Sequence, residues 1–243
     1  MSGKQETNPR NDSSEKGPQK SSQKKPQINS QINLQINLQV RIQTGLRIVA
    51  KLLAWFLPVI WIVSIAFGEF GLGPEPFDTL NSKFGQATIY LLLANLYVGF
   101  LIFFWRPLPR SLAFLVKVRR SWGVACFFYA TLHLASYVLR EGSLEFALSE
   151  MTQRTYLIAG SLAWITLLLL ALTSNDFSLR KLKMKNWRRL HKLVYVALIL
   201  IAVHQLSIEK INVPQASWLF IPIGVLYCVR LVVQQLRSRR SKV

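Results

Sequence analysis

The stretch WRRLHKLVYVALILIAVHQL, residues 187–206, carries one histidine near each end of an otherwise almost wholly apolar run. An α-helix needs about 20 apolar residues to cross the hydrocarbon core of a bilayer. Five further runs have this character, and the six predicted spans lie at about residues 48–68, 87–105, 121–139, 155–173, 190–207 and 216–236. We therefore predict an all-α membrane protein built as a bundle of about six transmembrane helices.

The net charge of +19 is distributed unevenly along the chain. Residues 1–51, the loops 106–120 and 174–192, and the tail from residue 230 hold 9, 5, 7 and 5 of the 30 basic residues. The other three loops, which follow the first, third and fifth predicted spans, hold four basic residues and seven acidic ones. Because loops rich in Lys and Arg stay in the cytoplasm, both termini are predicted to be cytoplasmic. The cationic stretches are short and lack a recognition fold, which argues against nucleic acid as a partner.

The N-terminal segment has a different composition from the rest of the chain. Ser, Gln, Lys, Asn and Pro dominate residues 1–45, which predicts a disordered basic cytoplasmic arm. Within it, QINSQINLQINLQV at 27–40 repeats a Q-I-N-x unit. This repeat is typical of a low-complexity tether, and a short strand is the alternative. Because the first apolar run begins near residue 48, we expect no cleavable signal peptide.

All three histidines lie in or at the edge of a predicted span. His133 is inside the third span, His191 opens the fifth, and His204 is near the far end of the fifth. A strongly polar side chain within a membrane usually faces a functional interior. The alternative for each is a neutral imidazole that hydrogen-bonds a neighbouring helix. Since the chain has no other histidine, we predict that they share a ligand.

Two of these histidines are predicted to lie at the same depth. His133 and His204 follow the arginine pairs at 119–120 and 188–189 by 13 and 15 residues, so both are about 20 Å from the inner side. Zinc requires four ligands, and neither cysteine nor carboxylate accompanies the imidazoles. Haem iron needs only two axial ligands. We therefore predict haem b between helices 3 and 5, without covalent attachment because the chain has no C-x-x-C-H motif.

The third histidine leaves the number of haems open. His191 is 13 residues before His204, about 20 Å along a helix, which suits a second cofactor nearer the cytoplasm. However, the two side chains are rotated by roughly 140° from each other on an ideal helix, and the third span has no histidine at the depth of His191. The sequence therefore predicts one or two haems.

Several short motifs resemble those of a known family. They are GLGPEPFD at 71–78, VRRSWGV at 118–124 leading into LHLASY, LALTSN at 170–175, and WRRLHKLVY at 187–195 followed by AVH. In order and spacing, this set resembles the MsrQ (YedZ) family of the ferric-reductase-like transmembrane group. The resemblance defines residues 46–238 as a ferric-reductase-like transmembrane haem domain and leaves 239–243 as a basic cytoplasmic tail.

The resemblance implies a function. Members are inner-membrane subunits, not themselves catalytic, that pass electrons through haem b to MsrP, a periplasmic molybdenum enzyme that reduces methionine sulfoxide and so repairs oxidised proteins. Electrons would come from the quinone pool or a cytosolic flavin reductase, and FMN is an associated cofactor. Carried over to this sequence, the haem-iron ligands would be His133, His191 and His204. Membrane lipid would surround the bundle.

Two other functions remain open at this stage. A stand-alone transmembrane ferric or oxygen reductase would use the same haem without a periplasmic partner. A histidine-lined transporter for protons or metal ions is the other, although the spans lack the interior carboxylates that transporters use. No G-x-G-x-x-G motif follows the sixth span, so we expect electrons to come from another protein or from quinol.

Overall fold

The computed structural model describes residues 24–67, 74–105, 108–208 and 213–240. Within these ranges the chain is helical and contains no strand. Apart from one short 3-10 turn, the elements are α1 (Lys24–Ala66), α2 (Pro76–Phe104), α3 (Ala113–Glu141), α4 (Leu144–Gln153), α5 (Thr155–Leu172), α6 (Asp176–Leu190), α7 (Leu193–Leu206) and α8 (Val213–Arg240).

Most of these helices have the length and apolarity of membrane spans. In the described part of the chain, α1, α2, α3, α5 and α8 each contain such a segment. Helices α6 and α7 are bent by 44° at the break between them and make a sixth span if they cross as one. The prediction of an all-α, multi-pass membrane bundle is confirmed.

The structure differs from the prediction for the N-terminal segment. Helix α1 begins at Lys24, inside the segment predicted to be disordered, and it includes the Q-I-N-x repeat. A four-residue repeat places its isoleucines along one side of a helix, and no glycine occurs between Lys24 and Gly45. Residues 27–40 are therefore helical, so the short strand does not form there, while residues 1–23 lie outside the described residues. The chain separates into two compact units, residues 1–42 and 43–243.

Two helix pairs build the second unit. Helix α2 packs along α3, and α5 packs along α7. Contacts between α3 and α5 join the pairs, and α8 packs on both α2 and α7. The shared core is apolar, and its buried residues include Ile89, Leu92, Leu93, Leu96, Phe100, Cys126, Ala130, Ala163, Leu167, Ala197 and Ile201.

The bundle has an acidic end and a basic end. At the acidic end, Asp78 near the start of α2 pairs with Arg140 near the end of α3, with 2.8 Å from the carboxylate Oδ1 to the guanidinium Nη1. At the basic end, Phe103 near the end of α2 lies against Arg237 near the end of α8, 5.2 Å from guanidinium carbon to ring centre. Helices α3 and α7 therefore end at the acidic end, and α2, α5 and α8 end at the basic end.

Two predicted loops contain helices of their own. Helix α3 ends at Gly142, whose φ of 71° is left-handed, and the hydroxyl of Ser143 then caps α4 by accepting from a backbone N–H. Asn175 caps α6 in the same way. Capping residues of this kind start helices even in charged sequence. As a result, His191 lies at the junction of α6 and α7 and not inside the fifth span.

Candidate functional site

The structure brings two of the three histidines together. His133 on α3 and His204 on α7 have ring centres 6.1 Å apart, with their planes at 85°. Both side chains are half-buried. The distances of the two histidines from the basic edges of their spans predicted that they could meet. The pair lies toward the acidic end, since His204 is in the last turn of α7.

A backbone carbonyl of α2 fixes the ring of His133. Its Nδ1 atom lies 2.7 Å from the carbonyl oxygen of Asn81. The Asn81 side chain donates in return to the carbonyl of His133, at 2.8 Å, and also contacts Ser136 Oγ at 3.4 Å. These bonds tie α2 to α3 at the level of the imidazole.

A backbone carbonyl of α5 fixes the other ring in a similar manner. The Nδ1 atom of His204 lies 2.6 Å from the carbonyl oxygen of Tyr156. The aromatic ring of Tyr156 is also close, with its centre 6.0 Å from that of His204. Each helix pair thus orients one of the two histidines.

A glycine lies four residues after each accepting carbonyl and makes room for the imidazole. A Cβ atom at Gly85 would lie 3.1 Å from Nδ1 of His133, and one at Gly160 would lie 2.8 Å from Nδ1 of His204. In an α-helix, Cβ leans toward the N-terminus, so a side chain covers the turn that precedes it. Glycine at these positions therefore leaves the carbonyls of Asn81 and Tyr156 open to a ring from the neighbouring helix.

The contacts at Nδ1 determine which nitrogen is free to bind a ligand. A ring nitrogen that faces a carbonyl carries the proton, so Nε2 keeps its lone pair. No hydrogen bond between described residues involves Nε2 of His133 or His204. Histidines that bind metals have this arrangement, in which the second ring nitrogen donates to a carbonyl or carboxylate.

The donor set fits haem better than a bare metal ion. Among the residues that the structure describes, no three histidine, cysteine, aspartate or glutamate side chains come together. Zinc needs four such donors, whereas haem iron needs two axial ligands. The aromatic side chains Phe127 and Trp164, 5.8 Å apart, line the apolar core beside the pair. The histidine pair and its surroundings therefore fit a haem.

A buried hydroxyl lies one helical turn beyond His133. Within the described chain, the hydroxyl of Tyr137 is buried and has no hydrogen-bond partner. The guanidinium of Arg140 lies 5.2 Å from the centre of its ring. A buried polar atom normally has a partner, so this hydroxyl is suited to a polar group of a bound molecule. Its spacing of four residues from His133 is the one sequence signal that pointed to Tyr137.

His191 belongs to a separate group of contacts at the basic end. Its ring stacks on that of Trp187, with centres 3.8 Å apart. Its Nδ1 atom lies 3.1 Å from the Trp187 carbonyl, and its Nε2 atom lies 3.3 Å from Ser174 Oγ. The indole of Trp187 donates to the carbonyl of Thr173 at 2.9 Å. Both ring nitrogens of His191 thus face protein oxygens.

An arginine of α3 closes this second group. Arg120 donates to the carbonyl of Ser174, and it pairs with Asp176 at 2.6 Å. The third helix therefore supplies a cation at the level of His191, where the sequence predicted no second histidine. The structure does not bring His191 into contact with the pair formed by His133 and His204.

Comparison with known proteins supports one family. Residues 84–202 match the family described as the ferric reductase like transmembrane component. The chain is 36% identical over 212 residues to the protein-methionine-sulfoxide reductase heme-binding subunit MsrQ of Salmonella arizonae, which covers 81% of this chain and 98% of that protein. The protein of the same name from Salmonella enteritidis is 38% identical over the same shares. The MsrQ protein of Salmonella paratyphi B is 38% identical over 184 residues, 70% of this chain and 88% of the relative. With an apolar helix bundle, paired histidines and this identity across the bundle, the chain belongs to the MsrQ family of the ferric-reductase-like transmembrane group.

Proposed function

We propose that this chain is the haem-binding electron-transfer subunit of a methionine-sulfoxide reductase system, and that His133 and His204 are the axial ligands of a haem b. The observation that carries the proposal is the pair of neighbouring imidazoles, with ring centres 6.1 Å apart and planes at 85°, each fixed through Nδ1 to a carbonyl of the neighbouring helix. When bound, haem b supplies one-electron redox chemistry.

The protein's contribution is to orient the rings and exclude water. Because the carbonyls of Asn81 and Tyr156 accept from Nδ1, each ring has one defined tautomer and a more basic Nε2. The apolar core below the pair keeps the site out of water, which affects the potential of any redox group held there. The four helices α2, α3, α5 and α7 each contribute one part of this arrangement.

The position of the pair supports electron delivery at the acidic end. His204 lies in the last turn of α7, and His133 lies about two turns before α3 ends. The acids of the described bundle outside α6 all lie at this end, and they are Glu75, Asp78, Glu141, Glu145 and Glu150. By the positive-inside rule, this end is periplasmic and both termini are cytoplasmic in an inner membrane. We propose that the acceptor there is MsrP, the periplasmic molybdenum reductase.

Electrons then enter from the basic end, where His191 lies. The donor on that side is the quinone pool or a cytosolic flavin reductase, as the family resemblance predicts. His191 stays a predicted ligand of a second haem. Since its Nε2 atom is 3.3 Å from Ser174 Oγ, binding iron through Nε2 requires that contact to be given up.

The test is the reduced-minus-oxidised visible spectrum of the purified protein, with haem quantified. We expect a low-spin b-type signal that His133→Ala and His204→Ala each abolish, because both axial ligands belong to one iron. The fraction of haem lost in His191→Ala reports whether a second haem is present. The flavin content of the same sample tests the predicted FMN.

The variants also supply the control. If His191→Ala removes all haem and the other two variants keep it, the assignment of the pair is wrong. A reduced wild-type protein that transfers electrons to ferric iron or oxygen, and not to a molybdenum reductase, would instead favour the stand-alone reductase. A topology reporter fused at the C-terminus tests whether that terminus lies in the cytoplasm.

A further inference from the structure

The basic end of the bundle holds a cluster of arginines around one aromatic ring. The guanidinium carbons of Arg230 and Arg237, both on α8, lie 4.9 and 5.2 Å from the centre of the Phe103 ring on α2. Arg119, in the second turn of α3, has its guanidinium against Gly99 of α2, one helical turn before Phe103. Two helices, α3 and α8, therefore bring positive charge against α2 at the membrane boundary.

The side chains that hold these arginines are neutral. Arg230 donates to the hydroxyl of Tyr195 at 2.7 Å. Arg119 donates through Nε to Asn95 Oδ1 at 3.0 Å, and Asn95 donates back to the Arg119 carbonyl at 2.8 Å. A Cβ atom at Gly99 would lie 2.9 Å from a terminal nitrogen of Arg119, so the glycine makes room for the guanidinium. The cluster is positioned without a counter-charge.

No carboxylate of the described chain neutralises the cluster. The ion pairs of the described chain join Arg120, Arg140 and Arg154 to acids. None of them includes one of the three clustered arginines. The one described acid near this end, Asp176, is already paired with Arg120. The other described acids lie at the opposite end of the bundle.

A cluster of this kind at a membrane boundary is suited to a phosphate. Cations that leave bulk water need a counter-ion, and the planar guanidinium matches the oxygens of a phosphate. Exposed apolar side chains lie at the same level of the bundle: Val232 and Leu236, on the other face of α8, are both 55% exposed, and Trp105, just after α2, is 57% exposed. Acyl chains fit such a surface, and tryptophan is typical of the headgroup level.

We propose that Arg230 and Arg237, with Arg119 behind them, form a binding site for the phosphate of an anionic phospholipid in the leaflet at the basic end. Basic pockets between transmembrane helices bind anionic headgroups in this way. The lipid phosphate would neutralise the cluster. It would thereby hold the arginines of α8 against the Phe103 ring of α2. This site is distinct from the histidine pair and does not depend on haem binding.

Native mass spectrometry of the purified full-length protein, titrated with phosphatidylglycerol or phosphatidylcholine, tests the proposal, because the mass identifies each retained molecule. We expect a preference for phosphatidylglycerol. Each of Arg230→Gln and Arg237→Gln should weaken its binding about fivefold, and the double variant about 25-fold. Arg239→Gln is the matched control, since Arg239 is an exposed arginine on the same helix. Unchanged helical content by circular dichroism shows that each variant is folded.

Several outcomes would overturn the site. Equal retention of the two lipids, or an equal loss in Arg239→Gln, would mean that general surface charge attracts lipid. Adding inorganic phosphate or FMN distinguishes the sources of phosphate: retention of either in place of lipid, with the same sensitivity to Arg237→Gln, rules out the phospholipid. Arg237→Gln decides the matter if Arg230→Gln does not fold, because Arg230 also bonds Tyr195.

Discussion

Replacing Gly160 with alanine tests how the site is built. The added Cβ would lie 2.8 Å from Nδ1 and 3.0 Å from Cε1 of His204, whereas ordinary contacts begin at 3.4 Å. The imidazole must therefore move by about 0.6 Å relative to α5. It has little freedom to do so, because its Nδ1 is held by the carbonyl of Tyr156 at 2.6 Å.

The size of the effect follows from two opposing contributions. Alanine in place of glycine within a helix stabilises it by up to about 1 kcal/mol. A ring shift of this size stretches the bond to Tyr156 toward the limit of about 3.2 Å for such contacts. Loss of a hydrogen bond that orients a metal ligand typically costs about 10- to 100-fold in affinity. We therefore expect Gly160→Ala to lose haem affinity by that factor while the apoprotein keeps its stability.

The assay compares haem titration of the apoprotein with its thermal unfolding, across three glycine variants. Gly85→Ala should show a smaller loss, because its Cβ would lie 3.1 Å from two atoms of His133. Gly224→Ala is the control, since nothing lies within 4 Å of the new Cβ, and it should change only stability. If Gly160→Ala binds haem as tightly as Gly224→Ala, with an unchanged spectrum, the carbonyl and glycine arrangement does not position the ring.

Three further predictions concern residues around the histidines. Tyr137→Phe should stabilise the apoprotein by about 1 kcal/mol, because it removes a buried hydroxyl without a described partner. A lower midpoint of thermal unfolding in this variant would mean that the hydroxyl is hydrogen-bonded. Trp187→Phe should lower stability by about 1 kcal/mol through the lost bond to the carbonyl of Thr173, as measured by the unfolding midpoint. Asp176→Asn should change stability little, since the Asp176 carboxylate is exposed; Arg120→Gln should cost more because it also loses the Ser174 carbonyl, and equal costs in denaturant titrations would contradict this.

The depth of the histidine pair was predictable because helix geometry fixes distance along the axis. Basic residues at 119–120 and 188–189 mark where spans three and five begin at the basic end, and the rise per residue then gives the distance to each histidine. The same arithmetic separated His191 from the pair. Helix rotation is less certain than depth, so the contact between His133 and His204 needed the structure.

The anchors of the rings were not predictable from the sequence. The carbonyls of Asn81 and Tyr156 are backbone atoms, and which turn of α2 or α5 faces a given imidazole depends on how the helices pack. The only signal was an isolated glycine early in each apolar helix, at 85 and 160, and such glycines usually have a packing reason. The helices α4 and α6 were missed because their sequences are too polar for spans, although Ser143 and Asn175 are ordinary capping residues.

The three histidines differ in what their protein contacts leave available. His133 and His204 each use Nδ1 for a carbonyl, so each keeps Nε2 without a hydrogen bond to another described residue. Both ring nitrogens of His191 contact oxygens, Nδ1 the carbonyl of Trp187 and Nε2 the hydroxyl of Ser174. Arg120 is close by, because it donates to the Ser174 carbonyl. A ligand at the acidic end would therefore meet two unoccupied ring nitrogens among the described contacts, whereas a ligand at the basic end must first displace a hydroxyl. The guanidinium of Arg120 is already paired with Asp176, so the charge beside His191 is largely balanced before any ligand binds there.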